Sequence, residues 1–199
     1  MLRHSDSDRC IAGPEIKRQS GFVSLAAVHQ IAERGLIDNI RIDAIAATAD
    51  FAKDVDQRGL DDLFHIRAVL DEQEKLEWFR SLDIFVLPSL TERFPDVLLE
   101  AMSCGIAVVA SSVAVITGVT TCGDTGILIE LTSPGALVVA LRRLRENPVE
   151  PRLMGTRARA TTVERYAMNG CWTKSLSNMC HDVPDKLDRN LHRPTNCWQ

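Results

Sequence analysis

Residues 83–110 contain two short apolar runs on either side of a helix-like segment, and this pattern leaves few folds open to the chain. Residues 84–87 form a continuous apolar run, which is typical of a strand buried on both faces. Residues 106–110 show the same pattern. Between the runs, Pro95 suits the first turn of a helix because its fixed φ is helical, and Gly105 ends that helix. A strand, helix, strand unit of this length predicts parallel pairing, and parallel sheets bind ligands at the carboxyl ends of their strands.

Asp96, Glu100 and Ser103 are the polar residues of this predicted helix, and they recur at i, i+4 and i+7. At about 100° per residue they form one narrow polar stripe on an otherwise apolar helix. Two interpretations remain open from the spacing. The stripe is either solvated, or it turns the Glu100 carboxylate into a cleft, where it can accept two hydroxyls at once, as a ribose diol offers.

The rest of the chain alternates helix and strand signals in the manner of a doubly wound α/β domain with a parallel sheet. Helix starts are indicated by Asp71, with Glu74 three residues later as in a capping box, and by Ser133 before Pro134. Further strands are predicted at residues 10–13, 39–46 and 63–68, and helices at residues 22–34, 51–58, 150–166 and 172–179.

A chain of 199 residues that is 45% hydrophobic can bury one sizeable core, so a single domain is expected. We predict a partial first strand and loop in residues 1–20, a Rossmann-like domain in residues 21–180 and a flexible tail in residues 181–199. The net charge of −4 and the lack of a basic run argue against a nucleic-acid partner. Because no apolar run could span a bilayer and no signal peptide is apparent, the prediction is a cytoplasmic protein, with peripheral membrane contact left open.

The six cysteines form no CxxC pair, so reduced thiols are expected. His65 lies in an apolar segment and is predicted to be a partly buried structural residue. A late group of cysteines and histidines matches none of the usual zinc-ligand spacings, and no metal site is predicted there. Its members are Cys171, Cys180, His181, His192 and Cys197.

Residues 89–110 fit the pattern S-x-x-E-x-F-P-x-V-L-L-E-A-M-x-C-G-x-x-V-V-A, which resembles the C-terminal half of retaining glycosyltransferases of family 4. Glu92 and Glu100 match the E-x7-E motif of that family. Residues 123–130, GDTGILIE, resemble its D-G-x-T-G-x-L-V strand. The resemblance extends from about residue 21 to about residue 179, and it implies one Rossmann-like, donor-binding half of a GT-B fold.

The resemblance also implies roles for individual residues. In the family, the second glutamate of the motif binds the ribose of a nucleotide-sugar donor, which falls on Glu100. The first contacts the donor sugar, which falls on Glu92. Backbone amides that hold the sugar and phosphates fall near Phe94, Asp96 and Val97.

Three positions depart from the family. The arginine and lysine that usually hold the pyrophosphate are replaced by Pro14 and Ser20, so Lys17 or Arg18 would have to reach the phosphates. The small glycine after the first glutamate is Arg93 here. Its guanidinium would obstruct the pocket, meet a phosphate, or lie at the surface paired with Asp96.

The activity that the resemblance implies is transfer of a sugar from a nucleoside diphosphate sugar to an acceptor hydroxyl with retention. Neither a metal nor a cofactor other than the donor substrate is expected. The acceptor-binding half has no counterpart in the chain, so we expect a partner chain to supply it. The alternative is a non-catalytic nucleotide-sugar or protein-binding module derived from the same fold, and the choice between enzyme and module stays open.

Overall fold

The computed structural model describes residues 9–13, 40–45, 47, 49–89, 93–130 and 133–167. In this part of the chain six strands form one sheet in the order β3-β2-β1-β4-β5-β6, and every neighbouring pair is parallel. The strands are β1 (Arg9–Gly13), β2 (Ile40–Ile45), β3 (Phe64–Arg67), β4 (Ile84–Leu87), β5 (Ala107–Ser111) and β6 (Ile127–Ile129). The predicted Rossmann-like, doubly wound α/β fold is therefore confirmed.

Helices connect and cover these strands. They are α1 (Ala49–Gln57), α2 (Glu72–Arg80), α3 (Asp96–Ser103), α4 (Ala114–Val119), α5 (Pro134–Glu146) and α6 (Val149–Thr162), and a π-helical turn (Val163–Ala167) follows α6. No helix in the described ranges is both long and apolar enough to cross a membrane. The helices predicted at residues 22–34 and 172–179 and the predicted tail at 181–199 lie outside the described residues.

Two predicted helix starts carry the side-chain caps that the sequence indicated. Asp71 Oδ1 accepts hydrogen bonds from Gln73 N at 2.9 Å and Glu74 N at 2.8 Å. Glu74 Oε2 accepts a bond from Asp71 N at 2.9 Å, which completes the capping box of α2. At the start of α5, Ser133 Oγ accepts a bond from Ala136 N at 3.2 Å.

Strand β4 is buried on both faces, as its continuous apolar run predicted. Phe85 and Leu87 belong to a core cluster shared with α2, α3 and α4. Ile84 and Val86 belong to a second cluster shared with α5 and α6. Successive side chains of a strand point to opposite faces, so β4 joins the two layers of the core.

The structure corrects two details of the sequence interpretation. Pro95 is the N-cap of α3 rather than part of its first turn. The His65 side chain is 57% exposed, with Nδ1 3.6 Å from Oδ1 of the buried Asp43, so the expected partial burial of His65 was wrong.

Candidate functional site

The candidate site lies between β1 and β4. Strands β2 and β3 are added to the sheet on one side of β1, whereas β4, β5 and β6 are added on the other side. β1 and β4 are neighbours, with Ile11 beside Ile84 and Ala12 beside Phe85. From β1 the chain continues to β2 on one side, and from β4 it continues to β5 on the other. In open α/β sheets, ligands bind in the crevice at the carboxyl ends of the strands that flank such a switch point.

Three of the predicted site residues follow these two strands in sequence. Lys17 and Arg18 come shortly after the end of β1, and Glu92 comes shortly after the end of β4. All three lie outside the described residues, so their roles stay predictions. What the described backbone does show is that β1 and β4 end at the same edge of the sheet.

Helix α3 begins at this edge and contains or adjoins the other predicted residues. Phe94 precedes the helix and is 43% exposed. Asp96, which is exposed, and Val97, which is partly buried, are its first two residues. The first N–H groups of any α-helix lack acceptors within the helix and form a favourable environment for an anion.

The polar stripe of α3 runs from the surface into the protein interior. Asp96 is exposed, Glu100 is only 6% exposed and Ser103 is fully buried. Ser103 Oγ donates a hydrogen bond to the Glu100 carbonyl oxygen at 2.7 Å, so its hydroxyl is satisfied locally. The solvated-stripe interpretation is therefore wrong for Glu100 and Ser103.

A lysine from the neighbouring helix contacts the buried carboxylate. Lys75 Nζ lies 2.9 Å from Glu100 Oε1 and 3.2 Å from Glu72 Oε1. Burial lowers the pKa of Lys75, but the hydrogen bonds to Glu100 and Glu72 and their negative charges outweigh that effect, so its pKa lies above the ordinary 10.5. Lys75 is therefore an ammonium ion at neutral pH, and the site pairs a buried anion with a partly buried cation.

The sequence interpretation missed Lys75, although a signal was present. Lys75 precedes Trp78 and Phe79 by three and four residues, so it shares the helix face that these buried aromatic side chains occupy. Burying a charged side chain is costly unless it is paired, so a lysine on the apolar face of a helix indicates a buried partner of opposite charge.

Arg93 stands next to the start of α3 and is exposed. Within the described part of the chain, no ion pair joins Arg93 to Asp96, so the surface pairing proposed from the sequence is not formed.

The described ranges contain no group of three or more histidine, cysteine, aspartate or glutamate side chains that could hold a metal ion. The described part of the site offers the buried Glu100 carboxylate, the ammonium group of Lys75 and the backbone N–H groups at the start of α3.

The sheet order and the switch point between β1 and β4 define a Rossmann-like α/β domain. The chain belongs to the glycosyl transferases group 1 family, whose model matches residues 15–147.

Among its relatives, the D-inositol 3-phosphate glycosyltransferase of Paenarthrobacter aurescens is 36% identical over 112 residues, which make up 56% of this chain and 27% of that enzyme. The corresponding enzyme of Thermobispora bispora is 28% identical over 145 residues, covering 73% of this chain and 32% of the relative. The aligned part of the chain thus spans about a quarter to a third of the length of these two relatives.

Solved structures show the same fold. The structure of Anabaena Alr3699/HepE in complex with UDP and glucose matches with a TM-score of 0.73 at 16% identity, covering 86% of this chain and 49% of that one. The C-terminal domain of the group 1 glycosyl transferase LpcC from Francisella tularensis matches with a TM-score of 0.65 at 22% identity. The match covers 79% of this chain and 86% of that domain. The similarity to a C-terminal domain and to half of a larger enzyme agrees with the predicted GT-B half.

Proposed function

We propose that this chain is the donor-binding half of a retaining glycosyltransferase that moves a sugar from a nucleoside diphosphate sugar to an acceptor hydroxyl. The observation that carries the proposal is the buried Glu100 carboxylate on α3, the helix that follows β4, in a chain of the group 1 glycosyltransferase family. Similar solved structures contain UDP or UDP-glucose, which supports a nucleotide-sugar ligand for this chain.

In this proposal Glu100 accepts hydrogen bonds from the ribose diol, and Glu92 contacts the donor sugar. The backbone near Phe94, Asp96 and Val97 binds the sugar and phosphates, because helix N–H groups favour anions. Lys17 or Arg18 balances the charge of the diphosphate as it leaves. The bond between the anomeric carbon and the diphosphate oxygen breaks with its electron pair on the diphosphate. A bond to the acceptor oxygen forms on the same face of the sugar, and the proton of the acceptor hydroxyl passes to the leaving diphosphate.

In this proposal a partner chain supplies the acceptor side. No metal is assigned to the reaction. A cytoplasmic location and peripheral membrane contact remain predictions from the sequence.

A second candidate function is a binding module that retains the nucleotide-sugar site and lacks transfer. Arg93 favours it, because a long exposed cation occupies the position where the family has glycine and the backbone approaches the sugar. Both candidates require nucleotide binding, and only the first requires sugar transfer when an acceptor domain is present.

Nucleotide binding is tested first by thermal unfolding with UDP-, GDP- and ADP-sugars. A ligand at about 100 times its Kd stabilises the folded state by about 2.7 kcal/mol, which raises the Tm of a chain of this size by about 5–10 °C. We expect such a shift with one of these nucleotide classes. The absence of a shift with every sugar nucleotide would contradict both candidate functions.

Replacing Glu100 tests the assigned ribose contact. A hydrogen bond to a charged group contributes about 1.5–3 kcal/mol, so Glu100→Ala should weaken binding by about 10- to 100-fold in calorimetric titration. Glu146→Ala on α5 is the matched control, because this exposed carboxylate lies far along the chain from the site residues and 3.8 Å from Arg142 Nε. Unchanged affinity in Glu100→Ala would overturn the assignment.

A further inference from the structure

Lys75 lies beside the candidate ribose site and reaches it from a different helix. It is part of α2, whereas Glu100 is part of α3, 25 residues later in the chain. The Lys75 side chain is 23% exposed and the Glu100 side chain is 8% exposed, so their 2.9 Å contact is largely shielded from water. Shielded charge pairs interact more strongly than exposed ones.

The two carboxylates that contact Lys75 differ in their surroundings. Glu72 is a neighbour within the same helix, and its side chain is 71% exposed. Exposed pairs of this kind contribute little because water and salt screen them. Glu100 is buried, so its contact with Lys75 compensates for the removal of its charge from water.

A glutamate side chain loses considerable rotational freedom when it binds a ligand. A partner that already fixes the carboxylate removes part of that cost before the ligand arrives. Because an ionised carboxylate has about four acceptor positions, Glu100 can accept a bond from Lys75 through Oε1 and still accept ribose hydroxyls alongside its contacts within the chain.

Another basic side chain contacts α3 at a different place. Arg159, on α6, donates from Nη1 to the Ser103 carbonyl oxygen at 2.8 Å, close to the C-terminal end of α3. Asp96, the acidic residue one turn before Glu100, is exposed.

We propose that Lys75 is a positioning residue that fixes the Glu100 carboxylate in the orientation that binds a ribose diol. This inference rests on the proposed function, because it presupposes that a nucleoside diphosphate occupies the site. It adds a residue from α2 that acts through Glu100 rather than on the transferred sugar.

The test measures the preference of the protein for UDP over 2′,3′-dideoxy-UDP, which lacks both hydroxyls. If thermal unfolding identifies GDP- or ADP-sugars as the ligand instead, the comparison uses GDP or ADP and its 2′,3′-dideoxy counterpart. The wild-type chain should bind the ribonucleotide about 10- to 100-fold more tightly, since the hydroxyls donate to a charged acceptor. Lys75→Met should reduce this ratio to about 3-fold or less. Without the lysine the Glu100 carboxylate is mobile, and fixing it on binding costs part of the free energy that the ribose hydroxyls contribute. Lys75→Arg should restore most of the ratio, and Lys53→Met, at an exposed position on α1, should leave it unchanged.

The ratio of the two affinities distinguishes a positioning role from a general structural role. Both ligands are titrated into the same folded protein, so a structural defect would weaken both equally. Equal weakening of both ligands in Lys75→Met, or an unchanged ratio, would overturn the role of Lys75 and leave the proposed function standing. A higher ratio in Lys75→Met would also overturn it, because Lys75 would then compete with the ribose. If the wild-type chain binds neither compound of any nucleotide pair, the proposed function fails, and this inference fails with it.

Discussion

At Gly155, helix α6 lies directly against the turn that ends α3. A Cβ atom at this position would overlap the Gly105 carbonyl oxygen and would lie 2.7 Å from the Gly105 carbonyl carbon and 3.2 Å from that of Ile106. These obstacles are backbone atoms, which cannot rotate away. Gly105 itself has φ of 75°, the left-handed conformation that glycine adopts readily and that ends the helix here.

We therefore expect Gly155→Ala to destabilise the protein by about 1–3 kcal/mol or more, the usual cost of overpacking. Equilibrium unfolding in urea measures the change. Gly118→Ala is the control, because Gly118 is exposed on α4 and a Cβ there would meet nothing within 4 Å. It should be neutral or stabilising by up to about 1 kcal/mol, and equal effects of the two substitutions would contradict the packing described for α6.

Single residues also show where prediction from sequence ends. The spacing of Asp96, Glu100 and Ser103 predicted a polar stripe, but it left open whether the stripe faces water or the interior. Burial of Glu100 depends on the packing of α2 and α3, which no local pattern encodes. The contact with Lys75 joins residues 25 positions apart, so it required the folded arrangement.

On the scale of the element, α2 is a short helix whose start is defined by its capping box. Asp71 accepts two backbone hydrogen bonds and Glu74 returns one, so three backbone donors at the helix start are satisfied. Nine residues form only two to three turns, so each cap is a large share of the local stability.

Asp71→Ala should lower the free energy of unfolding by about 1 kcal/mol, within the usual range for loss of an N-cap. Chemical denaturation followed by circular dichroism measures it. Asp62→Ala, an exposed aspartate in the turn before β3, should change stability by no more than about 0.5 kcal/mol. A loss at Asp62 as large as that at Asp71 would show that the cap contributes nothing specific.

Elements that carry a local signal, such as a side-chain cap or a continuous apolar run, were predicted from the sequence, whereas α4, which carries none, was not. The capping box of α2, the Ser133 cap of α5 and the continuous apolar run of β4 each mark their element within a few residues. Helix α4 has no side-chain cap and a short β-branched sequence, AVITGV, so nothing local indicates a helix. It forms between β5 and β6, where it buries Ile116 in the core.

On the scale of the whole molecule, stability and the candidate site share the same central strand. Phe85 in β4 is fully buried, and its ring lies 5.7 Å from that of Phe79 and 6.3 Å from that of Trp78. Both of these rings belong to α2, the helix that carries Lys75, while the next strand residue, Val86, packs on the opposite face. Loss of the Phe85 ring therefore removes support from the helix that contacts the site and from the core around it.

Phe85→Ala should destabilise the protein by about 3–5 kcal/mol, because it removes buried apolar area and leaves a cavity. Domains are typically stable by about 5–15 kcal/mol, so this single change consumes a large part of the total. Equilibrium denaturation gives the value, and Phe94→Ala is the matched control, since the same ring is removed from a side chain that is 43% exposed. We expect the control to lose less than half as much, because less area is buried there and no closed cavity forms. If both variants unfolded at the same denaturant concentration, the two-layer core around β4 would not be the source of the stability of the molecule.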